Sequence, residues 1–160
     1  MRLLSRPPLP LFLAAALGCV QELDIPKVGL DPVSIELSVS TQALKLGQAD
    51  TIRVAVVNNL DTPVRLTFGN VCQVYVTIRN RAGEVVTPRD GRPGCLPVQS
   101  QLTLPIGGRQ VYTTIWTGGY DFAPPDTPAK VPEGAYFVSA ELISRGYSTF
   151  APAFKVDVTP

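Results

Sequence analysis

From residue 33 onward, apolar side chains recur at every second position in short runs that turn residues interrupt. Val33, Ile35, Leu37 and Val39 alternate with Ser34, Glu36, Ser38 and Ser40. A strand turns successive side chains to opposite faces, so this is the pattern of a strand half buried against a core. Ile52, Val54 and Val56 repeat it around Arg53 and Ala55 up to the turn-forming residues 58–63. Val64, Leu66 and Phe68 follow, then Val74, Val76 and Ile78, then a turn at residues 80–83 (NRAG) and a short return at Glu84 to Val86. Residues 101–104 (QLTL) end at Pro105–Gly108, read as a hairpin turn whose two glycines take positive φ. Residues 109–116 (RQVYTTIW) are β-branched and aromatic, and both faces read as partly buried. A long loop over 117–134 leads to a strand over 135–143, and Phe154, Val156 and Val158 alternate with Lys155, Asp157 and Thr159 at the end. About eight or nine short strands at this spacing predict a sandwich or barrel.

Sixteen prolines and thirteen glycines in 160 residues suit such a turn-rich chain and work against long helices. Tyr136 follows Pro132 and Gly134 at the head of a strand, the setting of the tyrosine corner of immunoglobulin-like sandwiches, in which the phenol bonds back to upstream backbone. The plainer alternative is an ordinary strand aromatic.

The first nineteen residues differ in kind. Arg2 and Arg6 precede an apolar run from Leu9 to Leu17 and then small residues, the three parts of an export signal. The run is shorter than the ~20 residues a membrane-spanning helix needs. Residues 14–16 (AAA) suit an ordinary signal peptidase, whereas residues 16–19 (ALGC) resemble the lipobox of bacterial lipoproteins, with Cys19 as the acylated residue. Ala16 and Leu17 stand exchanged relative to that pattern. Three cysteines favour the lipid: Cys72 with Cys95 forms one disulfide inside the domain, and Cys19 outside it is modified. The alternatives are a Cys19 discarded with a plain leader, and Cys72 and Cys95 as buried thiols. The expected organisation is a signal over 1–19, a polar tether over 20–32 and a domain over 33–160. The chain is then exported and lies in the cell envelope, on the periplasmic or outer side, touching the membrane through its N-terminal lipid alone.

Charge and composition narrow the function. Removing the leader takes 14 basic residues to 12 against 13 acidic ones, which gives no electrostatic reason to expect nucleic acid. Without a single histidine, Ser-His-Asp or Cys-His catalysis and His-ligated zinc are excluded. No calcium loop or phosphate-cradling glycine loop occurs. The chain is therefore expected to be neither an enzyme nor a holder of metal or cofactor, but a binder of a protein partner. Its candidate loop spans residues 85–98, where Arg89, Asp90 and Arg92 stand between prolines and Cys95 anchors one end. A braced, extended loop suits a substrate-like protease inhibitor, with Arg89 in the specificity pocket. The bland alternative is a solvated loop. Tyr120, Phe122 and Pro124–Pro125 in the second long loop read as an interaction patch, a sugar platform or pins onto the sandwich, and Trp116 as core.

Several phrases in order resemble the BsuPI domain, the intracellular proteinase inhibitor family of bacteria. They are Asn58 or Asn59 with Pro63 to Phe68, then Gln73, Tyr75 and Gly83, then Trp116, then Pro132, Gly134 and Tyr136. The resemblance covers roughly residues 35 to 158. It implies an all-β, immunoglobulin-like antiparallel β-sandwich and an inhibitor or other binding module; an assembly role in the envelope is the alternative. Two departures stand out: this chain carries an export signal, and residues 87–97 (TPRDGRPGCLP) replace a Trp-rich segment of the family.

Intact mass tests the N-terminus and the cysteines together. The native protein is expected to begin at Cys19 with acyl groups attached, and to gain about 2 Da on reduction as one disulfide opens. An unlipidated chain beginning at Leu17 would refute the lipid.

Overall fold

The computed structural model describes residues 31–88, 91, 93–121 and 130–160. They form an all-β, immunoglobulin-like sandwich of ten strands: β1 (Val33–Val39), β2 (Ala43–Lys45), β3 (Asp50–Asn58), β4 (Val64–Phe68), β5 (Val74–Asn80), β6 (Val85–Thr87), β7 (Ser100–Leu104), β8 (Arg109–Trp116), β9 (Gly134–Ser144) and β10 (Tyr147–Thr159). One sheet has the order β1-β3-β8 and the facing sheet β2-β10-β9-β5-β6, while β4 and β7 pair by themselves. All pairings are antiparallel except β2 with β10. Among the described residues no helix is long and apolar enough to cross a membrane.

The alternating side chains meet where the period of two predicts. Val33, Ile35, Val54, Val56, Leu66, Phe68, Leu104 and Leu142 fill one half of the core. Leu44, Ile52, Ile78, Val86, Trp116, Val138, Val156 and Val158 fill the other. Leu37 and Val76 pack against both halves and make them continuous.

Three polar anchors set the connections. Asp50, with no exposed surface, accepts at Oδ1 from the Ser40 amide (2.9 Å), the Ser40 hydroxyl (2.6 Å) and the Thr41 amide (3.2 Å). These bonds hold the segment in which the chain leaves the smaller sheet after β1 and enters the larger one at β2. Asn58 donates from Nδ2 to the carbonyls of Thr62 (2.9 Å) and Pro105 (2.8 Å), tying the end of β3 to both ends of the β4–β7 excursion. Tyr136 donates its phenol to the Pro132 carbonyl at 2.7 Å, the bond that a tyrosine corner requires.

Three expectations need correction. Strand β2 is three residues long, too short for alternation to show. Strand β10 begins at Tyr147, because a register shift between Ala151 and Phe154, around Pro152, breaks the period in its first half. The turn at Pro105–Gly108 does not close a hairpin, since β7 pairs with β4 and β8 with β3. Only Gly107 there takes positive φ (63°); a Cβ on Gly108 would stand 2.7 Å from the Pro105 carbonyl oxygen, so space demands glycine at 108. The last two residues of the expected tether, Asp31 and Pro32, are bonded through their carbonyls to Asn59, and residues 20–30 lie outside the described residues.

Tyr136→Phe deletes the corner bond and is expected to cost about 1–2 kcal/mol in urea unfolding with an unchanged slope. Burial, helped by the neighbouring Tyr120, raises the Tyr136 phenol above its ordinary value of 10.0. The unfolded chain therefore loses this proton first. The contribution is whole below pH 10 and is lost as pH rises through the folded value, so the alkaline fall should be shallower in Tyr136→Phe.

Candidate functional site

Strand β8 pairs with β3 along its whole length, from Trp116 opposite Asp50 to Arg109 opposite Val57. It is the outermost strand of the smaller sheet, and its other edge carries no strand among the described residues. The expectation that both its faces are partly buried is overturned. Only Trp116 is buried and Tyr112 half-buried, while Val111 is 45% and Ile115 65% exposed. The physical reason is its place at the edge: a terminal strand has a neighbour on one side only. Gln110, Thr113 and Thr114 were the available signal, since a strand covered on both faces reads as a near-continuous apolar run.

Two contacts fix β8 on its inward face. The Trp116 indole N–H donates to the Gly119 carbonyl at 2.9 Å, and its ring lies tilted against Tyr136 with centroids 5.5 Å apart. Trp116 is thus core, as expected. Nearer the start of the strand, the Tyr112 hydroxyl donates to Gln73 Oε1, and Gln73 Nε2 donates onward to the Gln101 carbonyl at 3.1 Å. Burial raises the Tyr112 phenol, which stays a donor across the neutral range.

Along this edge the two layers stand apart. A cleft of about 320 Å³ opens between Thr114, Ile115 and Trp116 on one side and Val74, Val76 and Ile78 of β5 on the other. Cys72, Thr87, Pro88 and Pro93 form its rim, and Asp121 is the one charged group among the described lining residues. Among the described residues, the cleft thus has an apolar floor, a few hydroxyls and one carboxylate, beside a strand edge that pairs with no other strand. Such a surface binds by burial and main-chain hydrogen bonds.

A disulfide braces the cleft. Cys72 and Cys95 are joined, with Cα atoms 5.8 Å apart, and the bond holds the connection from β6 to β7 against the start of β5. Beside it, the Val71 amide donates to the Leu96 carbonyl at 3.2 Å, and Val71, Leu96 and Val98 form an exposed apolar patch. The Thr77 hydroxyl donates to the Gly91 carbonyl at 3.1 Å and ties the same connection to β5. The candidate residues Arg89, Asp90 and Arg92 lie outside the described residues, as do Cys19, Phe122, Pro124 and Pro125. Their described neighbours Pro88, Pro93 and Asp121 line the cleft, whereas Gly91, between the first two, lies with Thr77 and Arg79 on the outer face of β5. Tyr120 packs against the second half of the core and acts as a pin.

No protein-family model matches the chain, and no curated protein matches it in sequence. Among solved structures, it is similar over 79% of its length to the CARDB domain of a Pyrococcus furiosus protein in complex with di-metal ions, at 16% identity and a TM-score of 0.45, covering 87% of that chain. It is similar over 81% of its length to the alkylpurine DNA glycosylase AlkC of Pseudomonas fluorescens bound to DNA, at 14% identity and a TM-score of 0.46. It is similar over 79% to a β-glucosidase of Erythrobacter marinus, at 16% identity and a TM-score of 0.48. The chain spans 31% of the glycosylase and 15% of the glucosidase. The sandwich assignment rests on the strand pairing described above.

Proposed function

We propose that this chain is an exported binding domain, held at the membrane by a lipid on Cys19, that engages a protein partner through the β8 cleft and the disulfide-braced loop beside it. One observation carries the reading: Cys72 of the disulfide, Pro88 and Pro93 of the connection after β6, and the edge of β8 that carries no strand among the described residues all line one cleft. A crosslinked connection has fewer conformations to lose when a partner docks, so less entropy is lost on binding.

The resemblance to the BsuPI domain points to a proteinase as that partner. In this reading Arg89 enters the specificity pocket of the protease, and Arg92 is a poor cleavage position because Pro93 follows it. An assembly role in the envelope is the second reading, favoured by the exposed patch of Val71, Leu96 and Val98 outside the cleft.

The test is a titration of the oxidised chain against a panel of serine proteases. Stoichiometric inhibition is expected, weakened about thirty-fold or more by Arg89→Ala with the fold intact. Replacing both Cys72 and Cys95 by serine is expected to cost roughly 3 kcal/mol of stability and to weaken inhibition as well. Silence across the panel, together with envelope partners captured equally by Arg89→Ala, would replace inhibition with assembly.

A further inference from the structure

Among the described residues, the outer edge of β8 carries no strand and lacks the protections that keep edge strands from pairing. Such edges are usually blunted by lysine, proline, a bulge or a covering segment. Residues 109–116 contain neither lysine nor proline. Their register with β3 runs without a shift, and the strand's single charge, Arg109, is paired with Glu36. At about 3.3 Å per residue the strand offers roughly 26 Å of straight backbone.

The layer beneath extends past it. Strand β1 lies against β10, so the smaller sheet runs out at β8 while the larger continues through β5 to β6. The cleft lies where the next strand of the smaller sheet would cover Val74, Val76 and Ile78.

We propose that an extended segment of the protein partner adds to this sheet as a fourth strand beside β8, resting on the binding role above. Its alternate apolar side chains point into the cleft, and a basic residue at one end meets Asp121. Every second side chain of an added strand faces inward, level with Thr114 and Trp116, above the valines of β5. Asp121 sets the sign of the charge, because it is the one charged group among the described lining residues. A second copy of this chain fits less well. Its own β8 already turns Tyr112 and Trp116 into its own sandwich, so those side chains cannot fill the cleft of another copy. Its overhanging β5–β6 layer would also meet that of the first copy.

The experiment uses the full chain in detergent and nine-residue peptides alternating valine with threonine, with lysine at either end. Trp116, the chain's single tryptophan, lines the cleft and reports occupancy by its emission. Saturable binding with a Trp116 change is expected, reduced ten-fold or more by N-methylation of alternate peptide amides. Thr114→Lys, at an exposed cleft position, should cause a similar loss, while Thr113→Lys on the outward face should not. Asp121→Lys should reverse the preference from lysine-ended to glutamate-ended peptides, an exchange that mere loss of fold does not produce. Binding that survives N-methylation, no binding of either peptide, or self-association blocked by Thr114→Lys would each overturn strand addition. Protease inhibition undisturbed by Thr114→Lys would overturn it too while leaving the binding role standing.

Discussion

A three-stranded sheet cannot cover a five-stranded one, and most of this molecule answers to that inequality. Strands β1, β3 and β8 bury the middle of the larger layer. The surplus is dealt with differently at each place. At one end, the separate β4–β7 pair contributes Val64, Leu66, Phe68, Leu102 and Leu104 to the core and closes it beside the β9–β10 turn, where the Arg145 amide donates to the Thr67 carbonyl at 2.7 Å. On the β10 side, the chain changes layers after β1 and supplies β2, with Leu44 fully buried. On the β5–β6 side no strand among the described residues performs that service, and the cleft lies there.

The devices that hold these solutions are few and polar. Asp50 gathers three donors from Ser40 and Thr41, which fixes the change of layer. Asn58 spans the β4–β7 excursion, and Gln73 bridges Tyr112 to the Gln101 backbone across the sandwich. The Cys72–Cys95 bond performs the equivalent task for the connection after β6, which has little apolar surface of its own to bury. A loop rich in proline and glycine gains order from a crosslink that it cannot gain from packing. Each anchor sits at a change of direction, because there the sheet hydrogen bonds stop and side chains must satisfy the backbone.

The chemistry at the cleft is correspondingly simple. It consists of the β8 backbone, the valines of β5 below it and, among the described lining residues, one carboxylate, that of Asp121. The phenols nearby are held as donors by burial, and their raised ionisation lies far above neutrality.

What the sequence determined by itself is what depends on near neighbours. Alternation, with β-branched runs and turn signals, placed eight or nine strands, since a period of two reports that one face of a segment is buried whatever buries it. Turn chemistry placed the bend at residues 80–83, where the Gly83 amide bonds to the Asn80 carbonyl, and the corner at Tyr136. Counting cysteines paired Cys72 with Cys95. The tertiary structure decided what depends on distant partners. Period cannot tell an edge strand from a central one, and although Gln110, Thr113 and Thr114 hinted at the exposure of β8, its place at the edge follows from its pairing, which among the described residues is with β3 alone. Strand β2 is too short to carry a period, and its parallel partner lies more than a hundred residues away. The loop around Arg89 was legible as a candidate because proline, glycine and cysteine cluster there. The cleft beside it was not, because a gap between two sheets belongs to no single stretch of chain.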